Sequence, residues 1–184
     1  FDPSLHPNGI KQMSISRELR VAYAVVNLLT SLEDGGLSDR LRALQSLRDE
    51  VLYTGADSFR RNTGRVLIQI MKDLVRAYGD TKRQLMLAHD FLRASRGNPR
   101  IIRGFLRRYH LLEMPEDWSQ LSFDDHVHDA HTKGRKTSTH LIMDAWIKGI
   151  RSLTVIYYNY VEASAARELL QAAGIMDMTV RIGV

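Results

Sequence analysis

The chain contains no cysteine. That excludes a disulfide framework, a thiolate metal site and a cysteine nucleophile together, and it fits a reducing compartment. Long apolar runs are missing as well. A spanning helix needs roughly 18 to 20 apolar residues, and the most apolar run, residues 21–32, is interrupted by Asn27 and Thr30. The N-terminus, Phe1 to Pro7, has no basic region followed by an apolar segment, so it does not read as a signal peptide. These absences point to a cytoplasmic address. Starting at Phe1, the chain reads as a trimmed fragment rather than a complete gene product. There is no Walker phosphate loop, no dinucleotide-binding glycine fingerprint and no nucleophile elbow. No internal repeat, low-complexity stretch or long linker interrupts the pattern.

What is present is ordinary for a globular protein: 44% hydrophobic and 26% charged residues. A length of 184 residues allows one domain, or two small units sharing a core. The net charge of +5 is uneven. Residues 1–118 carry 19 Lys/Arg against 14 Asp/Glu, whereas residues 119–184 carry 7 of each.

After an extended lead-in over residues 1–13, apolar spacing predicts five helices. The first runs from Ser16 and stops at Gly35-Gly36. The second is capped by Ser38, and the third spans about Ser58 or Thr63 to Tyr78. The fourth opens with a Thr81/Gln84 capping box and closes at Gly97. The fifth starts at Asn98-Pro99, a cap followed by proline at the first helical position. Met114-Pro115 breaks the pattern. A strand is then predicted around residues 121–127 and a helix from Thr137 or Ser138 to Gly149. A β-branched strand follows at residues 153–158, then a helix from Glu162 to Ala173 closed by Gly174, and a last strand over residues 178–184. The fold class is therefore mixed. An all-α helical bundle (1–118) precedes a parallel β-α-β-α-β unit (119–184), read as the start of a truncated barrel or open α/β sheet.

Three of the seven histidines fall between Phe123 and His131, among Asp124, Asp125 and Asp129. Histidines at i and i+2 on a strand share a side, so His126 and His128 can address one ion, with Asp125 as a further ligand. Asp124 and Asp129 fit ligand or supporting roles. The loop beyond carries Lys133, Arg135 and Lys136 into a helix N-terminus, an arrangement suited to an anion or phosphate. The same cluster also fits a solvated loop pairing locally with Lys133 and Arg135.

Asp125-His126-Val127-His128 after a strand, then a capped helix ending in Lys148-Gly149-Ile150, then a strand, resembles the opening of polymerase-and-histidinol-phosphatase (PHP) hydrolases. It is also similar to amidohydrolase-like barrels. The resemblance covers about residues 121–184 and implies a barrel, a divalent metal ion held by His-x-His, and hydrolysis of an anionic, phosphoester-type substrate. Where the PHP pattern has Asp-His after its second strand, this chain has Tyr157-Tyr158-Asn159-Tyr160. The implied ligand set is thus incomplete, and reduced or lost activity is expected.

The rival reading comes from the helices. Between Phe91 and Leu112 every charged residue is arginine, and Arg100, Arg103 and Arg107 share one helix face. Such a face is often simply solvated. It also suits an acidic partner protein or, less well without interleaved aromatics, nucleic acid. That makes the alternative a non-catalytic interaction module.

Overall fold

The computed structural model describes residues 17–51, 58–113 and 122–184. The expected lead-in and the break at Met114-Pro115 lie outside them. Five helices come first: α1 (Arg17–Asp34), α2 (Leu37–Val51), α3 (Ser58–Arg76), α4 (Thr81–Ser95) and α5 (Pro99–Arg108). The α/β unit follows as β1 (Phe123–Val127), α6 (Ser138–Lys148), β2 (Ser152–Ile156), α7 (Ala163–Ile175) and β3 (Thr179–Gly183). The chain is mostly helical, with one small parallel sheet in the order β1-β2-β3. None of the described helices is long and apolar enough to cross a membrane.

Local chemistry explains most boundaries. Asn98 caps α5 by accepting from the amides of Arg100 and Ile101, with Pro99 in the first turn. Gly149 closes α6 in a left-handed conformation (φ 93°), which glycine adopts without a side-chain clash. Three expected caps move. Asp80, not Thr81, caps α4 by accepting from the Arg83 amide. Helix α2 begins one residue before Ser38, and the Gly36 amide is met by Asp39. Gly174 lies inside α7, and the chain turns instead at Asp177 (φ 53°).

Helix α3 is the centre of the bundle. It packs on α1, α4 and α5, and on α6 beyond them. Val66, Ile68 and Ile70 point in different directions around it, yet all are fully buried, as expected of a helix surrounded by neighbours. Both crossovers join adjacent parallel strands. Right-handed connections therefore put α6 and α7 on the same sheet face, where Leu153 and Val155 are buried. The bundle lies against the outer side of that helical layer, through α2 on α7 and α3 on α6. It does not cover the opposite sheet face, where Phe123 is 62% exposed.

A buried carboxylate joins the two halves. Glu168 of α7, 3% exposed, accepts from Arg40 Nε (2.9 Å) and Nη2 (2.7 Å) of α2. The same carboxylate accepts from the amide and hydroxyl of Thr139 in α6. Burial acts to raise its pKa, but the hydrogen bonds from Arg40 and Thr139 outweigh it and hold the carboxyl below the ordinary glutamate value. A depressed carboxylate stabilises the fold above its unfolded pKa, and that stability is lost as pH falls through the folded value. Arg40→Ala, which strands the buried charge, is expected to lower unfolding stability by about 3–5 kcal/mol. In urea titrations at a series of acidic pH values, Glu168→Gln should flatten the loss seen in the parent chain. An equally steep loss in Glu168→Gln would assign the acid sensitivity to other groups.

Candidate functional site

The carboxyl ends of β1 and β2 meet around one fully buried aspartate. Asp129, 0% exposed, accepts at Oδ2 from Ser138 Oγ (2.8 Å) and Tyr157 Oη (2.7 Å), and at Oδ1 from the His131 amide (2.9 Å). Its backbone carbonyl accepts from the amides of Thr132 and Gly134. The loop is wound so tightly that a Cβ on Gly134 would run into the backbone of His128 and Asp129. Burial, reinforced by the bond to Asp129, pushes the Tyr157 pKa above its ordinary value and keeps the phenol a donor. Asp129 thus ties β1, β2 and the start of α6 at the point where the histidines emerge.

A bulge lies between Asp124 and Val127, where three steps of β1 match two of β2. The Asp124 carboxylate accepts from the His126 amide there (3.2 Å), and such bulges re-aim side chains next to sites. His126 is exposed, and His128, just past the strand, is half-buried. Their ring centroids are 5.0 Å apart at 83°. His128 Nδ1 lies 2.9 Å from the Ile156 carbonyl and 3.2 Å from Thr132 Oγ1. A carbonyl can only accept, so Nδ1 carries a proton, and in the neutral ring Nε2 keeps its lone pair. The Tyr158 ring sits 5.4 Å from His128, with Lys133 Nζ 5.3 Å above that ring.

The two imidazoles fit a divalent ion in part. Rings bound through nitrogen at about 2.0–2.1 Å to one tetrahedral ion place their centroids about 5 Å apart. A backbone acceptor on the other nitrogen is the usual support of a ligating histidine. Among the described residues, however, no third His, Asp or Glu joins them in a metal-holding group. Asp125 does not converge with the histidines: it accepts from Thr154 Oγ1 (3.2 Å) on the uncovered sheet face. There it lines a hollow of about 250 Å³ with Phe123, Arg151 and Arg181. Asp129, 0% exposed, already holds the loop.

The expected anion trio separates. Lys133 stays beside His128 through Tyr158, and Arg135 is exposed. Lys136 turns away to pair with Asp144. The N-terminus of α6 is also occupied. Thr137 accepts from the His140 amide and Glu168 from the Thr139 amide, so these two first-turn donors are not free for phosphate. The physical reason is tertiary: α7 delivers a carboxylate to the positive end of α6.

Sequence reasoning missed a polar seam between α3 and α6. Arg65, 0% exposed, donates from Nε to the Ile147 carbonyl (2.8 Å) and from Nη1 to Asn62 Oδ1 (2.8 Å). One heptad on, buried Lys72 pairs with Asp144, which Lys136 also reaches, while His140 Nε2 stands 3.6 Å away. Burial lowers the pKa of Lys72 and of His140. For Asp144 burial acts upward, but the two lysines win and hold it below the carboxylate range. The available signal was two cations seven residues apart, Arg65 and Lys72, flanking the largely apolar stretch 66–71 of α3. Comparison with protein-family models, with curated proteins and with solved structures gives no match for this chain.

If Asp129 is the anchor of this loop, Tyr157→Phe should lower stability by about 1.5–3 kcal/mol, the range for a hydrogen bond to a charged group. Gly134→Ala should also lower the melting temperature, because backbone rather than a movable side chain blocks its methyl. Thermal denaturation followed by circular dichroism reads both. An unchanged melting temperature in Tyr157→Phe would remove Asp129 from this role.

Proposed function

We propose that residues 122–184 are the opening of a metal-dependent hydrolase barrel of the PHP or amidohydrolase kind, acting on an anionic, phosphoester-type substrate. The observation that carries this reading is the pair of adjacent imidazoles at a parallel strand's carboxyl end. The Ile156 carbonyl turns the free nitrogen of His128 outward. Chemistry in barrels collects at that end. Two further features support it. Strand order β1-β2-β3, with both crossover helices on one face, winds in a single sense as a barrel does. The uncovered sheet face, half-buried at Ser152, Thr154 and Ile156, suits a barrel interior that further strands would close.

His126 and His128 would hold the ion as neutral nitrogen donors. When bound, a divalent ion supplies a water of lowered pKa and polarises the substrate oxygen. Asp129 and Tyr157 keep the loop rigid, and Lys133 above Tyr158 receives the substrate's negative group. With tyrosine and asparagine after β2 in place of further ligands, slow turnover is expected. The second reading, a non-catalytic module binding an acidic partner, is favoured by the arginines of α4 and α5.

Isothermal titration with Zn²⁺ and with Mn²⁺ should find one ion per chain. Affinity should fall at least about tenfold, roughly 1.4 kcal/mol, in His126→Ala plus His128→Ala. Asp125→Ala should leave it within about twofold, roughly 0.4 kcal/mol, because that carboxylate faces Thr154. Absence of a bound ion in the parent chain would remove the hydrolase reading.

A further inference from the structure

The chain's excess positive charge is concentrated in one hairpin. Residues 80–113 carry eight Lys/Arg against three Asp/Glu, a balance of +5 that equals that of the whole chain. Each of the three acids is already engaged. Asp80 caps α4, and Glu113 pairs with Arg103 (2.8 Å). Asp90, 5% exposed, lies 2.7 Å from Arg108 and 3.6 Å from Arg93. Arg103, expected to bind a partner, is therefore compensated, whereas Arg93 and Arg108 share one carboxylate. Arg100 has no carboxylate partner among the described residues.

These side chains surround a hollow of about 290 Å³ between α4 and α5, lined by Arg93, Arg100, Ile101, Gly104, Phe105 and Arg108. Its opening depends on Gly104. No heavy atom stands within 4 Å of where a Cβ would sit, although glycine inside a helix is less stable than alanine by roughly 0.5–1 kcal/mol. Along α4 beside the hollow, Leu85 (68%), Met86 (50%) and Leu92 (57%) are exposed within about two turns. Met86 precedes Arg93, and Leu85 precedes Leu92, by seven residues, which puts each pair on one helix face. An aliphatic stripe thus runs along an arginine cluster in which Arg93 and Arg108 share one carboxylate and Arg100 has none among the described residues.

We propose that this α4–α5 face docks an acidic amphipathic helix of another protein. Its apolar side would cover Leu85, Met86 and Leu92 while its carboxylates pair with Arg93 and Arg100. Helix-in-groove binding uses this combination of apolar anchors and complementary charge. A nucleic acid fits less well. The exposed residues of α4 and α5 include no phenylalanine, tyrosine or tryptophan to stack on bases, His89 being the one exposed aromatic ring, and phosphates would lie against the leucines. The docking face is independent of the histidine site; it rests on and deepens the second reading above, an acidic partner at the arginines of α4 and α5.

The test uses fluorescence anisotropy with the full chain and three labelled probes. The first is a helical peptide of about 18 residues, roughly five turns, with leucines on one side and glutamates on the other. The second has lysines in place of the glutamates. The third is an oligothymidylate of about 20 nucleotides, longer than one typical single-strand site. The acidic peptide should bind and the lysine peptide should not. Binding should weaken at least about tenfold in Arg100→Glu and in Gly104→Leu. Gly104→Leu fills the hollow without changing charge and should hold or raise the melting temperature. His126→Ala plus His128→Ala should bind the peptide as the parent does, which separates this proposal from the metal site. No binding of the acidic peptide, equal binding of the lysine peptide, or no effect of either helix variant would each overturn the proposal. So would displacement of the peptide by the oligothymidylate, which would make the face a phosphate surface.

Discussion

A single buried carboxylate, Glu168, holds the architecture together. Its oxygens meet Arg40 of α2 and Thr139 at the start of α6, so three helices from both halves converge on one charge. Burying that charge is acceptable only because every partner is in place. At the far end of α6, the bundle closes the last turn: Arg65 takes the Ile147 carbonyl and the Leu112 amide takes that of Lys148. Helix α6 is thus capped at both ends by groups distant in sequence. The sheet and its histidine loop are positioned by that helix.

The chemistry at the sheet end depends on this same scaffold. Ser138, in the first turn of α6, and Tyr157, just past β2, both point at Asp129. With Asp129 fixed, the adjoining His128 is brought against the Ile156 carbonyl and its tautomer is set. The arginine hairpin lies elsewhere in the bundle and is built differently. Its acids are internally engaged, its glycine leaves space, and its aliphatic residues stay in solvent. One region gathers polar groups inward and the other turns them outward.

Much of this was legible in the residues. Helix spacing, the Asn98-Pro99 start, the Gly149 stop and the β-branched strands are local signals, because backbone caps and side-chain periodicity act over a few residues. The pairing of His126 with His128 was legible too, although by a simpler route than the real one. Strand alternation suggested it, whereas a bulge and a strand end deliver it. Asp125 turns to Thr154 on the uncovered sheet face.

The sequence by itself determined the order and kind of elements, the parallel topology and the concentration of histidine and of arginine. It could not assign partners to charges. Lys136 and the free amides of α6 read as a phosphate site. In the folded chain Asp144, about two turns along α6, takes Lys136, and Glu168 of the distant α7 takes the Thr139 amide. Arg103 read as a binding residue, and Glu113 compensates it. Asp129 read as a possible ligand and is the loop's anchor. Only tertiary structure decides such cases, because a charge is claimed by whichever group packing brings within about 3 Å, and that distance is not written in local sequence.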